Sequence, residues 1–301
     1  MSFTTIRMAV GRVVLVVGVL ILLFIPYLLW GTGLMTARSQ AQLRSEFGAA
    51  QARSGAPSAK HLHAPPKGTT PAAPLVAPPM ADPPIGNAVG EISIPKIGLS
   101  MVVVEGTGVA QLQAGPGHYP TTPLPGQVGN AAIAGHRTTY LHPFYNLDEL
   151  VPGDPITVVT LQGIFLYKVT ASQVVSPTDV SVVDQTLTPT LTLTTCNPRY
   201  SASQRLVVHA ALVASVLSHA KAAPVVAPTH RHAAPATPAH DWAAAIVWGI
   251  VVAALTTIVW VGYRRTRRGR RAALVGFGLL GWLVVVFFFF EATAPLLPAS
   301  Y

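Results

Sequence analysis

A single cysteine, Cys196, ends the β-branched run LTLTTC. Nine residues on, Arg205 opens the apolar run RLVVHAAL, and His136 follows a short apolar run in the string AIAGHR. These residue types can divide the work of acyl transfer. A thiolate is the nucleophile, and a free thiol with a pKa of about 8.5 is mostly protonated at neutral pH. An imidazole nearby can take that proton and later donate one to a departing amine. A guanidinium can pair with a substrate carbonyl or hold an oxyanion as its charge develops. Spacing alone leaves a second reading open, in which Cys196 is a buried thiol packing as a small hydrophobe. One cysteine excludes an intramolecular disulfide.

The elements that must position these side chains are strands. EISIP, SMVVVEG, NAAIAGH, PITVVTL, FLYKVTASQVV, LTLTTC and RLVVHAALV are short β-branched runs divided by Gly and Pro. Their spacing predicts an all-β barrel or sandwich over 89–214. Within it, PFYNLDEL is the one convincing helical turn. A strand, the loop NPRYSASQ and a returning strand bring Cys196 and Arg205 to the same sheet edge. His136 reaches that edge if its strand is a neighbour.

The flanks have a different character. Residues 13–37 carry no charge and exceed the roughly 20 residues that cross a bilayer, so an uncleaved transmembrane anchor is expected. Residues 38–88 read as a Pro/Ala-rich extracellular linker, with a polyproline-like spacer in their second part. Residues 215–240 form a second linker, followed by apolar helices at 242–263 and 272–290 around the basic loop 264–271. The positive-inside rule puts that loop and residues 1–12 in the cytoplasm. Three crossings then leave the β domain and the tail 291–301 outside. The net charge of +9 lies in these flanks, because Val89 to Ala214 holds five basic residues against seven acidic ones. A folded domain without a basic face does not fit nucleic-acid binding.

The strings themselves resemble the sortase family. TLTTC with an arginine nine residues on matches the family's nucleophile strand and arginine, and GHR its histidine. IPKIGL, GPGHYP, LPGQVGNAAIAGHRTTY, PFYNLDEL, GDPITV and TLTTCNPRYSASQRLVVHA are similar to class E sortases of actinobacteria. The resemblance implies an eight-stranded sortase β-barrel with Cys196, His136 and Arg205 as the catalytic set. It implies attack on the Thr carbonyl of an LPXTG-like or LAXTG-like sorting signal, and a thioacyl enzyme resolved by an amine. The implied partners are secreted proteins bearing such a signal, an amine acceptor such as a peptidoglycan precursor, and membrane lipid. A pilin-polymerising sortase, a surface cysteine protease and a non-catalytic binding module stay open beside it.

Two further residues come with the resemblance as substrate contacts, and a third, His118, comes from its place in a turn-rich stretch. Thr195 would line the oxyanion and substrate pocket, or be simply a strand residue. Tyr140 would sit in the substrate groove, or pack as a loop aromatic. His118, in GPGHYP, would line the groove or be structural. His209 is read as a satisfied strand histidine and His142 as a solvated loop residue. His61, His63, His230, His232 and His240 lie in linkers without a rigid frame, so no metal and no cofactor is expected.

Overall fold

The computed structural model describes residues 3–27, 31–56, 76–217, 242–265 and 271–293. Its strands are β1 (Ala88–Ile94), β2 (Leu99–Glu105), β3 (Gly117–His118), β4 (Asn130–Ala134), β5 (Pro155–Thr160), β6 (Gly163–Val175), β7 (Thr190–Asn197) and β8 (Gln204–Leu217). Its helices are α1 (Phe3–Pro26), α2 (Thr32–Ser54), α3 (Val109–Ala114), α4 (Trp242–Arg265) and α5 (Arg271–Thr293). Two compact units result: the barrel with α2 and α3, and a second unit holding α1, α4 and α5.

The strands close into a barrel in the order β1-β2-β3-β4-β7-β8-β6-β5. Seven of them arise from the β-branched runs. The eighth, β3, is two residues long and too short to show a period. Closure leaves no free sheet edge. β2–β3 and β4–β7 are the parallel pairs, and the other pairs are antiparallel. Alternate residues fill the interior, among them Ile92, Ile133, Phe165, Leu191, Leu193 and Val208. Tyr167 is fully buried, and its hydroxyl accepts the Gly126 N–H at 2.7 Å. Gly126 has φ +99, and a Cβ there would lie 2.3 Å from the Phe165 ring, so only glycine fits.

Several boundaries differ from the sequence reading. The span 13–37 is not one element, because α1 ends at Pro26 and α2 begins at Thr32. Proline cannot continue a helical hydrogen-bond ladder. The segment 38–88 is not all linker. α2 continues to Ser54, and Thr36, Gln40, Leu43 and Phe47 are buried along one face. Their spacing follows the helical period, so this face docks on the barrel rather than facing solvent. Further on, the Ala77 N–H donates to the Gly126 carbonyl at 2.8 Å and the Gly86 N–H to that of Glu105 at 2.8 Å. The spacer between, 57–75, lies outside the described residues, as do the five linker histidines.

The barrel also outruns position 214. β8 stays paired with β6 as far as Leu217 opposite Gly163. PFYNLDEL contains a short 3-10 turn at Leu147–Glu149, yet α3 and two more such turns, at Pro95–Ile97 and Ser181–Val183, accompany it. In the second unit, α4 is long and apolar enough at Trp242–Gly262 to cross a membrane by length and composition. The apolar stretches Val14–Pro26 and Gly278–Thr293 are shorter. The described residues therefore hold one such helix, where three were expected. Residues 266–270 of the basic loop, and the tail from 294, lie outside the described residues.

Candidate active site

β7 is the centre strand of the site, with β4 on one side and β8 on the other. Cys196 is directly opposite Arg205 in the antiparallel β7–β8 register. On the other side, the parallel pairing runs from Asn130 opposite Thr190 to Ala134 opposite Thr194. It continues past the strand end, because the Gly135 N–H donates to the Thr194 carbonyl at 3.0 Å. Carried two residues further, that register sets His136 beside Cys196. Leu191 and Leu193 face the core, so Thr192, Thr194 and Cys196 point to the outer face of the barrel. Ala131 and Ile133 face the core too, which turns Ala132, Ala134 and then His136 outward. The three strand ends thus deliver His136, Cys196 and Arg205 side by side on one face, over a floor of Ala132, Ala134, Thr192 and Thr194.

The electrostatics are those of a buried pair. Cys196 and His136 are 5% and 7% exposed. Burial lowers the His136 pKa from 6.5 to about 4, so the ring is neutral at neutral pH. Burial raises the Cys196 thiol, while the charges of Arg205 and then Arg137 pull it back down. Burial thus works against the charged form of each group. Arg205 is half-buried, and its Nη1–H donates to the Ala202 and Gln204 carbonyls, both at 3.1 Å. Its Nε and Nη2 have no hydrogen-bond partner among the described residues, which leaves part of the fork for a substrate oxygen.

Arg137 belongs to the site, although only its neighbour His136 was singled out from GHR. It is 4% exposed. Nη1 donates to the Cys196 carbonyl at 3.1 Å and to Asn197 Oδ1 at 2.7 Å. Nη2 pairs with Asp148 Oδ1 at 3.0 Å, and Arg199 Nη2 meets the same carboxylate at 3.0 Å. One guanidinium thus clamps the Cys196 backbone to the 3-10 turn. The signal was the position itself, since the residue after His136 runs beside the one after Cys196.

The other expected contacts separate. Tyr140 is at the site, its ring centroid 4.9 Å from that of His136. Thr195 points to the opposite side of β7 from Cys196. Its hydroxyl is spent on the Gly135 carbonyl at 2.7 Å, so it ties β7 to the residue before His136. His118 has no exposed surface. Its Nδ1 pairs with Glu105 Oε2 at 2.9 Å, and Nε2 lies 3.1 Å from the Pro123 carbonyl. Pairing of His118 with Ile133 and Glu105 turns it into the barrel, away from the outer face. His209 is satisfied by Thr192 at 2.9 Å and Gln173 at 3.2 Å, as expected of a strand histidine. His142 is exposed.

Known proteins are similar to this chain over the barrel. The Sortase domain family matches residues 92–213. Sortase SrtE1 of Streptomyces coelicolor is 31% identical over 221 residues, covering 68% of this chain and 56% of that protein. The chain thus spans little more than half the length of that relative. Putative sortase YwpE of Bacillus subtilis is 31% identical over 88 residues, 29% of this chain and 86% of the relative. A crystal structure of Sortase E1 from Streptomyces coelicolor, with a tripeptide in the active site, is 32% identical. It covers 44% of this chain and 91% of that one, with a TM-score of 0.42. The matched residues run from β1 into β8 and take in Cys196, His136 and Arg205, so the chain belongs to the sortase family.

Proposed function

We propose that the protein is a membrane-attached transpeptidase that cleaves an LPXTG-like or LAXTG-like sorting signal between Thr and Gly. The observation that carries this reading is the adjacency of β4, β7 and β8, which aligns His136, Cys196 and Arg205 on one face. The thiol proton passes to His136, and the Cys196 sulfur attacks the Thr carbonyl. The resulting oxyanion is held by Arg205. Collapse expels the glycine amine, which takes the proton from His136, and leaves a thioester on Cys196. An acceptor amine, such as that of a peptidoglycan precursor, then gives its proton to His136 and attacks the thioester. A new amide forms and the thiol returns. Because burial disfavours the charged form of each group, the ion pair forms as the proton moves to His136 during attack rather than standing ready beforehand.

Attachment with the barrel outside the cell follows from the charge pattern. Arg7 and Arg12 lie in the first half of α1, before its apolar stretch, and six arginines between Arg264 and Arg271 span the end of α4, the connection and the start of α5. Trp242–Gly262 is the one described helix long and apolar enough to cross, and with both basic clusters inside, three crossings would put the barrel among exported substrates.

The test uses the full chain in detergent with an LAXTG peptide and an excess of amine. An amine adduct of the peptide, and a trapped acyl group on Cys196 by mass spectrometry, are expected. Hydrolysis without adduct at saturating amine makes the protein a protease instead. Ligation by Cys196→Ala removes the nucleophile assignment.

A further inference from the structure

α2 grips the barrel through polar groups that a mere spacer would not bury. Gln40 is 3% exposed. Its Nε2–H groups donate to the Val102 and Ala114 carbonyls, both at 2.9 Å, and its Oε1 accepts the Val102 N–H at 2.8 Å. One side-chain amide thus pairs with β2 as a strand would. Gly115 makes room for it, since a Cβ there would lie 2.3 Å from Gln40 Nε2. Thr36, wholly buried, donates to the Gln113 carbonyl at 2.8 Å. Gln113 and Ala114 end α3, where carbonyls lack partners within the helix. α2 supplies those partners.

From α3 the contacts lead to the site. Gln113 Nε2–H donates to the Tyr140 hydroxyl at 3.1 Å, and the Tyr140 ring lies on His136. Beside it, Leu141 packs against the first turn of α2. A Cβ on Gly33 would lie 3.1 Å from Leu141 Cδ2. Tyr140, Leu141 and His142 have φ of 53°, 61° and 39°. Consecutive side-chain-bearing residues hold this left-handed conformation only where their surroundings over-determine it. Gly33 and the Thr36–Gln113–Tyr140 contacts provide that surrounding.

We infer that α2 is part of the active-site scaffold: docked on β2 and α3, it holds the 140–142 loop and thereby fixes the ring of His136. Thr36, Gln40, Gln113 and Tyr140 are positioning residues. The inference rests on His136 being the proton carrier of the proposed transfer. It gives the helix next in the chain after α1 a hold on His136 relayed through Gln113 and Tyr140, and a barrel cut free at Val89 lacks that hold.

The experiment uses the full chain in detergent, with Gln40→Leu, Gln113→Leu, Tyr140→Phe and the Gln113→Leu/Tyr140→Phe double variant. The first readout needs no turnover. Diethyl pyrocarbonate modification of His136 is followed by peptide mass spectrometry, with His209 as internal reference. The second is kcat and KM for peptide transfer, with Tm measured alongside. Gln40→Leu and Gln113→Leu should speed His136 modification several-fold relative to His209. They should lower kcat about 10-fold with little change in KM, as misplacement of a catalytic group does. The double variant should lose no more than the worse single, because both changes break one hydrogen bond. A lowered Tm with unchanged His136 modification and unchanged kcat overturns the inference, since a purely structural helix behaves that way. Faster His136 modification in variants of a protein that transfers no peptide upholds the positioning and defeats the transpeptidase reading.

Discussion

Cys196 and Arg205 oppose each other across the antiparallel β7–β8 pair, the last rung but one before the connecting loop. Two side chains so placed share one face of the sheet, and the Arg205 charge acts on the thiol, lowering its pKa. Exchange of Arg205 for Lys keeps the charge and discards the planar fork. A loss of about 100-fold in kcat/KM is expected, the size typical of a removed oxyanion donor. Steady-state kinetics on a sorting peptide checks this, and near-normal turnover would reduce Arg205 to a structural role.

The same cation bears on the thiol. Burial raises the Cys196 pKa, and Arg205 and Arg137 oppose that rise. The sole cysteine can be titrated by its rate of alkylation with iodoacetamide. Its midpoint should lie above the ordinary thiol range. Arg205→Ala should move it higher still, and Arg137→Ala should do so by less. A midpoint that falls in either variant would contradict the assigned electrostatics.

His136 makes stability depend on pH. Its folded pKa of about 4 lies below the ordinary 6.5, so the unfolded chain binds the extra proton between these values. Stability contributed by the neutral ring is therefore fully present above pH 6.5 and is lost as pH falls toward 4. The full difference is roughly 3 kcal/mol. Chemical denaturation of the wild type across this window should show the loss, and His136→Gln should flatten that part of the profile.

Arg137 holds the Cys196 carbonyl while pairing with Asp148. Asp148→Asn leaves the shape and removes the charge shared by Arg137 and Arg199. Because Asp148 is 42% exposed, the effect on Tm should be small. The effect on kcat should be larger, about threefold to tenfold, if the clamp sets the nucleophile's backbone. Equal losses in stability and in kcat would assign the clamp to folding alone.

Tyr167→Phe tests the barrel interior. The Gly126 N–H would lose its acceptor in a place water cannot reach. A destabilisation of about 1–3 kcal/mol is expected. Denaturant titration measures it, and a neutral result would mean that the loop around Gly126 finds another partner.

The barrel was largely legible because seven of its strands carry a β-branched run between turn residues. β3 was not, since two residues hold no period. α2 was divided between the anchor 13–37 and the linker 38–88, although Thr36, Gln40, Leu43 and Phe47 repeat at helical spacing. Two of the four are polar, so the stripe did not look apolar. Only the carbonyls of Val102, Gln113 and Ala114 explain why those amide and hydroxyl groups are buried. His118 was left between a groove contact and a structural role by its place in a turn-rich string. Its pairing with Glu105 and Ile133 turns it inward, and strand facing is a property of register that a string does not display.

By itself the sequence determined the residue types for acyl transfer, the strand on which each stands, and the all-β class. These follow from side-chain chemistry and period, which are local. Tertiary structure alone decided that β4, β7 and β8 are neighbours, and hence that His136 and Arg205 flank Cys196. It also decided that Arg137 holds the Cys196 carbonyl and that α2 reaches His136 through Gln113 and Tyr140. Those facts depend on which distant backbone groups pair, and each pairing is set by closure of the whole barrel.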